Sequence, residues 1–413
     1  MKHYKHRDDC RLCGSTKFEL VLPILPSAIG DAFVSKDQLD VKQDLYPLDT
    51  YLCLDCGHLQ NLDVVNPELL FCNYTYRTSA SIGLVDHFKK YAHTVVSGLN
   101  IPPSSFVVEI GSNDGSLLKE FKVQGMRVLG VDPAGIIASQ ASSDGIKTLS
   151  EFFTHKVALR ILAENECAKL ICANNVFAHV DNINDIAKGI RSLLAPDGVF
   201  IFEVSYVPDI IDNFLFDTIY HEHLSYHALI PLERFFNSLD MTLFDVERVS
   251  TKGGSIRGYA QPMSTGTRQK TESYFRLLDA EQVRGFSHPE IYRIYYQSIE
   301  NRKNTLLEYV DQEIGRGKTV AAYGASTTTT TLLYHFELQN RISFILDDNP
   351  LKINLYSPGA HIPVFSASAL YEKSPDFVII LAWQYSDLII KKHAHFIENG
   401  GCFLTPLPDL KIN

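Results

Sequence analysis

Residues 107–118 read Val-Val-Glu-Ile-Gly-Ser-Asn-Asp-Gly-Ser-Leu-Leu, and this stretch constrains the fold more than any other. An apolar run carrying one acid predicts a buried strand that stops at Gly111. A tight turn follows, then a helix opening at Ser116. Glycines at 111 and 115 let the backbone turn sharply and come close to a ligand, as at the crevice of open α/β sheets. A second strand over residues 127–131 ends in Asp132, 23 positions beyond Glu109 (132 against 109). An acid at the tip of the second strand can accept both hydroxyls of a ribose.

The turn is Gly-x-x-x-Gly, not the Gly-x-Gly-x-x-Gly that cradles a dinucleotide pyrophosphate. Glu109 and Asp114 also set negative charge where a pyrophosphate would lie, and like charges repel. The same carboxylates suit S-adenosylmethionine, whose amino group and sulfonium are cationic. A generic α/β turn is the plainer reading, but the strand–turn–helix together with the spacing to Asp132 favours the cofactor. The stretch resembles the first motif of the class I methyltransferases. The expected cofactor residues are Glu109, Gly111, Asn113, Asp114 and Gly115, with Asp132 beyond them.

Upstream, Cys10-x-x-Cys13 and Cys53-x-x-Cys56 are each followed by glycine, Gly14 and Gly57. Such knuckles let two sulfurs reach one tetrahedral ion, and two of them make a four-thiolate zinc site. Two matched knuckles favour zinc over a redox pair. With four protein ligands the metal is structural. The insertion over residues 22–49 is expected to be a loop or hairpin beyond the site, and His58 a surface residue or a neighbour of the ligands.

The composition excludes several classes. Among 413 residues, 45% are hydrophobic and 21% charged, as in an ordinary globular chain. A net charge of −10 speaks against a nucleic-acid partner, which wants a basic face. No apolar run approaches the ~20 residues that span a bilayer, so no membrane segment is expected. The N-terminal residues carry no apolar segment after their basic residues, so no signal peptide is expected. Eight cysteines in such a chain read as thiols or metal ligands, and a cytoplasmic protein is predicted.

Further along, Tyr74 and Tyr76 precede an amphipathic helix over 84–96. They either pack or line the mouth of the cofactor cleft. A third strand over 146–149 ends at Glu151-Phe152-Phe153, where an adenine can stack, and Phe153 joins the cofactor set. A fourth strand over 168–173 runs into Asn174-Asn175 and on to His179. Asn174 and Asn175 fall at the cofactor. His179 falls where substrate should be, because the fourth strand tip faces the sulfonium in a doubly wound sheet. A helix over 181–194, a turn over 195–198, a fifth strand over 199–204 and a hairpin around Lys252-Gly253-Gly254 follow.

Residues 216–227 read Phe-Asp-Thr-Ile-Tyr-His-Glu-His-Leu-Ser-Tyr-His. This is too polar for core and too rich in titratable groups for a plain loop. His221 and His223 make a poor metal pair, having no third ligand nearby. General acid/base chemistry fits better than a hydrogen-bonded surface turn. A histidine titrates near neutral pH, a glutamate fixes its tautomer, and a tyrosine hydroxyl can bond an oxyanion.

Residues 268–315 predict one or two linking helices. The last hundred residues form a second α/β unit, with strands over 318–323, 342–346 and 377–383. Its turn, Gly324-Ala325-Ser326, either holds a nucleotide phosphate or is purely structural.

The order of motifs resembles the sugar C-methyltransferases of deoxysugar biosynthesis over essentially the whole chain. Carrying it are the two knuckles, Glu109-Ile-Gly-Ser-Asn-Asp-Gly115, Tyr220-His-Glu-His223-Leu-Ser-Tyr226, Gly253-Gly-Ser-Ile-Arg257 and Tyr323-Gly-Ala-Ser326. The resemblance implies an α/β chain of three parts. These are a small zinc-binding domain over 1–71, a class I methyltransferase doubly wound sheet over 72–262, and linking helices with a Rossmann-like domain over 263–413. It implies a nucleotide-linked 4-keto-6-deoxy sugar methylated at C3 by a monomer or homodimer. His223 would then be the base, Tyr220 and Glu222 would position base and sugar, and His179 and Tyr76 would stabilise the enolate. The family often places a lysine and a glycine after the Tyr-Gly-Ala-Ser turn, where this chain has Thr327 to Thr331. Lys252, Arg257 or Arg77 would have to compensate. The competing readings are an O- or N-methyltransferase on the same fold and a zinc-bearing scaffold without catalysis.

Overall fold

The structure, a computed structural model, describes residues 3–71, 78–80 and 83–413. The N-terminal part holds β1 (Tyr4–His6), β2 (Phe18–Leu22), β3 (Thr50–Cys53), β4 (Leu59–Asn61) and β5 (Asp63–Val65). β1 pairs with β5. β2, β3 and β4 form an antiparallel sheet that recruits a distant edge strand, β11 (Ser225–Tyr226), beside β4. The polar loop that carries the histidines is therefore stitched directly to the cysteine-bearing sheet.

The central sheet comprises β6 (Phe106–Ile110), β7 (Arg127–Val131), β8 (Thr148–Leu149), β9 (Ala168–Asn174), β10 (Leu194–Ser205), β12 (Met241–Val249) and β13 (Ser255–Pro262). Its order is β12-β13-β10-β9-β6-β7-β8, with only the contacts of β13 antiparallel. The chain leaves β6 toward β7 and later returns to its other side as β9. The strand order thus reverses at β6, and a crevice opens at the carboxyl ends there, where ligands bind in such sheets. β6 is buried along its length because helices cover both faces. The helix Leu84–Gly98 is one cover, burying Phe88, Tyr91, Ala92 and Val95 on a single stripe.

Two sequence expectations shift here. The third strand shrinks to two residues. The expected turn over 195–198 lies inside β10, as an irregularity between Leu194 and Val199 in the pairing with β9. The insertion after β2 is a loop with one short helical turn, Lys36–Gln38. A Ser27–Tyr46 bridge closes it on itself, a Val34–Tyr356 bridge ties it to the C-terminal part, and Gly30 abuts Thr327 so closely that a Cβ would sit 2.6 Å from the threonine methyl.

Two helices, Glu272–Arg284 and Pro289–Gly315, lead to the C-terminal sheet. That sheet contains β14 (Val320–Tyr323), β15 (Ile345–Asp347), β16 (Val364–Ser366), β17 (Phe377–Ile380), β18 (Cys402–Thr405) and β19 (Lys411–Ile412), ordered β16-β15-β14-β17-β18-β19. All pairings are parallel except that of β19. One hydrophobic cluster joins Leu22 and Leu48, Ile210 and Phe216, Ile299, Leu332 and Leu404, so the insertion, the polar loop and the C-terminal sheet share a core.

Candidate active site and zinc centre

The turn after β6 is built by residues in unusual conformations. Gly111, Asn113 and Gly115 have φ of 70°, 49° and 73°. A Cβ on Gly111 would stand 2.5 Å from Val176, a second reason for glycine there. Asp132 accepts hydrogen bonds from the Asn113 and Ala134 amides at 2.8 and 2.9 Å, so the acid at the tip of β7 grips the turn. Asp114 accepts from the Ser116 hydroxyl at 2.6 Å and the Ser79 amide at 2.9 Å, while the Asn113 side chain accepts from the Thr78 amide at 2.9 Å. Residues 78–80 thereby rest on the turn. Tyr76 and Arg77 lie outside the described residues.

The electrostatics of the turn are uneven. Burial pushes Asp114 up, but bonds from Ser116 and Ser79 outweigh it and hold the carboxyl below the usual range. Burial raises Asp132 against the opposing amides of Ala134 and Asn113. Glu109, also buried, is raised well above an ordinary carboxyl by desolvation first and by Asp132 and Asp114 next. Among the described residues Glu109 Oε2 and both amide atoms of Asn174 are buried without a hydrogen-bond partner. Orphaned polar atoms at the carboxyl ends of β6 and β9 suit a ligand that is cationic and rich in donors and acceptors.

Asn175 stands in the left-handed region and its amide bonds the Glu203 carbonyl at 2.7 Å. Phe153 departs from expectation. It is 4% exposed and packs in the core against Gly189, while its neighbour Phe152 is 59% exposed. Reading an adenine platform from the aromatic pair singled out the member that faces inward.

The histidines are buried rather than on a surface turn. His223 Nδ1 lies 2.9 Å from the Thr218 carbonyl and can only donate to it, which leaves the lone pair on Nε2. The Tyr220 hydroxyl, 2.8 Å away, donates to that nitrogen. The tautomer is thus set by a backbone carbonyl and not by Glu222, as the sequence reading had it. His179 stands edge-on to His223, ring centroids 4.8 Å apart at 75°, and its ring bonds the Glu222 backbone carbonyl. Burial, then the charge of Lys252, lowers His179 to about 3. Burial lowers His223 well below an ordinary histidine, helped by His179 and Lys252. Both imidazoles are therefore neutral at physiological pH. Burial raises Glu222 to about 7, with Asp31 adding to the rise and Lys252 opposing it. His221 turns away, its Nε2 at 3.2 Å from the Tyr46 carbonyl, which removes it from any pairing with His223.

Sequence reasoning passed over the residues that hold this loop. Leu224 and Ser225 donate backbone N–H groups to Ala178, Asn61 donates to the His223 carbonyl at 3.2 Å, and the buried Arg11 donates to the Leu224 carbonyl at 3.3 Å. Asp217 accepts from the Trp383 indole at 2.9 Å, tying the loop to the C-terminal part. These contacts join positions far apart in sequence, and Thr218 acts through its main chain, so no local motif announces them.

Arg257 does not await a phosphate. It lies opposite Glu203 in the β10–β13 register, pairs with that buried carboxylate at 2.6 Å and stacks over Tyr91 at 4.2 Å. Removing the arginine would leave that buried carboxylate only the His87 ring, 3.0 Å away, at a cost of up to about 3–5 kcal/mol. The threonine run is occupied as well. Ser326 and Thr329 cap their own helix, Thr330 bonds the Gly30 carbonyl and Thr331 the Ile219 carbonyl.

The four sulfurs of Cys10, Cys13, Cys53 and Cys56 lie within 4.8 Å of one another. The Cys10–Cys56 and Cys13–Cys53 separations are 3.7 and 3.6 Å. A zinc tetrahedron with bonds of about 2.3 Å has edges of about 3.8 Å, so the set fits that ion. Gln60 donates to the Cys10 sulfur at 3.1 Å. His58 is no surface residue. It is fully buried, 3.1 Å from the Ser225 hydroxyl and stacked on His227.

The strand order, the acid-tipped second strand and the glycine turn define an S-adenosylmethionine-dependent methyltransferase, carrying a structural zinc site beside its catalytic sheet. Residues 10–71 match the family of a zinc binding domain, 87–243 that of a methyltransferase domain and 250–408 that of a C-methyltransferase C-terminal domain. C-methyltransferase NovU of Streptomyces niveus is 32% identical over 406 residues, spanning 98% of this chain and 96% of its own. The chain belongs to this C-methyltransferase family. Among solved structures, magnesium protoporphyrin IX methyltransferase of Synechocystis PCC 6803 with bound SAM aligns at 15% identity and a TM-score of 0.32, covering 43% of this chain and 80% of its own. A S-adenosylmethionine-dependent methyltransferase of Clostridium acetobutylicum aligns at 13% and 0.35, covering 48% and 96%. Among the described residues no helix is long and apolar enough to cross a membrane.

Proposed function

We propose that this enzyme methylates C3 of a nucleotide-linked 4-keto-6-deoxy sugar. The observation that carries the reading is the chain from the Thr218 carbonyl through His223 to the Tyr220 hydroxyl. It is a neutral imidazole with its lone pair on a defined nitrogen, in a buried site at the carboxyl edge of the sheet.

In this reading His223 Nε2 takes the proton from the carbon beside the ketone. Tyr220 gives up its bond to that nitrogen when the sugar arrives and, with Glu222, positions sugar and base. His179 turns its one N–H from the Glu222 carbonyl to the oxyanion when the sugar binds, and Tyr76 is assigned the same task. Glu109, Asn113, Asp114, Asp132, Asn174 and Asn175 hold S-adenosylmethionine, which supplies an electrophilic methyl group when bound. Enolate formation needs no metal step, because the ketone is the electron sink and hydrogen bonds stabilise its oxygen. The zinc shapes the loop. Boundaries near residues 71 and 262, a cytoplasmic location and a monomeric or dimeric state complete the proposal.

An O- or N-methyltransferase would need only a base near a hydroxyl or amine. Exchange of the sugar C3 proton in deuterated water, with S-adenosylhomocysteine bound, separates the two. Exchange that depends on the enzyme supports C-methylation. Methyl transfer to a sugar without any such exchange in the matching half-reaction overturns it.

A further inference from the structure

The β12–β13 hairpin carries three basic residues near the candidate site, and two are spoken for. Arg248 pairs with Asp209 and Arg257 with Glu203. Among the described residues Lys252 makes no ion pair and no hydrogen bond, although its charge is felt at Glu222, Glu203, His179 and His223. Among the described residues Lys252 is the one lysine or arginine whose charge acts on all three of His179, His223 and Glu222.

The backbone is shaped to put it there. Lys252 has φ 53°, a left-handed conformation that side-chain-bearing residues seldom adopt. Gly253 and Gly254 follow at φ 85° and 140°, pressed against Leu215 and Asp209 so tightly that added Cβ atoms would stand 2.8 and 2.4 Å from their side chains. Asn213 donates to the Gly253 carbonyl at 2.8 Å. The turn is thus clamped onto the segment that leads from β10 into the histidine loop, and Lys252 keeps solvent-exposed surface at its tip.

We propose that Lys252 is the cation that meets the ketone oxygen as the enolate forms. This rests on the keto-sugar reading above. The neighbouring donors there are neutral. His179 and His223 are uncharged, Tyr220 is a phenol, and Glu222 is at most a neutral acid. When the C3–H bond breaks, its proton goes to His223 Nε2, its electron pair becomes the C3–C4 double bond, and the carbonyl π pair moves to oxygen. The Lys252 ammonium donates a hydrogen bond to that oxygen and neutralises the charge that the hydroxyl and imidazole donors only share. Lys252 is then no phosphate ligand for the sugar carrier.

The test uses the full-length zinc-bound protein and its Lys252→Met and Lys252→Arg variants, with S-adenosylhomocysteine titration as the check of folding. First, the imidazole titrations of His179 and His223 are followed by NMR without substrate. Loss of the Lys252 charge should let both rings take up protons at higher pH, and unchanged titrations overturn the placement whatever the substrate. Second, C3 exchange of thymidine diphosphate–4-keto-6-deoxyglucose is measured in deuterated water at saturation. The account expects a loss of about 10²-fold in Lys252→Met, partial recovery in Lys252→Arg, and thymidine diphosphate binding within about threefold of wild type. Unchanged exchange with weakened thymidine diphosphate binding overturns the proposal in favour of a phosphate contact. If the wild-type enzyme fails to exchange the proton while the NMR arm succeeds, the keto-sugar reading falls and Lys252's proximity to the histidines stands.

Discussion

Tyr220 and His223 are joined by a 2.8 Å hydrogen bond at Nε2, while Nδ1 of the same ring is held by the Thr218 carbonyl. The two contacts are unequal in kind. The carbonyl fixes the tautomer permanently, whereas the hydroxyl occupies the nitrogen that has to act as base. His223→Ala should therefore cost ~10²–10⁴ in C3 exchange with S-adenosylhomocysteine affinity unchanged. Tyr220→Phe leaves the tautomer intact and should cost only about tenfold. Equal losses in single-turnover assays would mean that Tyr220 itself handles the proton.

Cofactor binding should be tied to a proton at Glu109. Burial, Asp132 and Asp114 keep that carboxyl protonated to unusually high pH. A cation bound beside it favours the charged form, so its pKa falls on binding and a proton leaves. Affinity for S-adenosylmethionine should then rise with pH until Glu109 is ionised in the free protein. Calorimetry in buffers of different ionisation enthalpy should detect the released proton. Glu109→Gln should flatten the dependence, and an unaltered slope in that variant would exclude Glu109 as its source.

Zinc should matter to the base more than to the cofactor. β11, one residue past Leu224, is an edge strand on β4, and Arg11, beside Cys10, holds the Leu224 carbonyl. Chelation or Cys13→Ser should depress C3 exchange by about tenfold or more while S-adenosylhomocysteine binding stays within about threefold. Parallel loss of both would show that the metal supports the whole fold instead of the loop.

The Asp217–Trp383 contact predicts a pH-dependent stability. Burial raises Asp217 to about 7, with the Trp383 indole opposing the shift, against about 3.9 for an unfolded aspartate. A raised acid stabilises most below its unfolded value and loses that contribution as pH rises through its folded value. Relative to wild type, Asp217→Asn should gain stability at about pH 8 and lose the advantage near about pH 4. Denaturant midpoints across that range check it, and a constant difference between the two proteins would place the titration elsewhere.

Local patterns carried much of this architecture. The glycine turn and each cysteine knuckle declare themselves within a dozen residues, and the acid partner follows 23 positions after Glu109, because their chemistry depends on fixed spacing. Asp132 is an example, since the spacing from Glu109 put it at the tip of the neighbouring strand, and there it holds the turn. What stayed hidden depends on tertiary contact. Phe152 and Phe153 are indistinguishable until Gly189 is seen to receive one ring. The histidine loop looked too polar to bury because its partners, the carbonyls of Thr218 and Tyr46, have no side-chain signature. Arg257 read as a phosphate ligand only while Glu203, 54 positions away, was unknown as its partner.

The most direct test is transfer of a carbon-13 methyl group from labelled S-adenosylmethionine to thymidine diphosphate–4-keto-6-deoxyglucose, followed by carbon NMR of the product. The account predicts a methyl resonance coupled to a sugar carbon at C3, absent with His223→Ala. A methoxy or N-methyl resonance, or a C-methyl product formed equally well by His223→Ala, would contradict it.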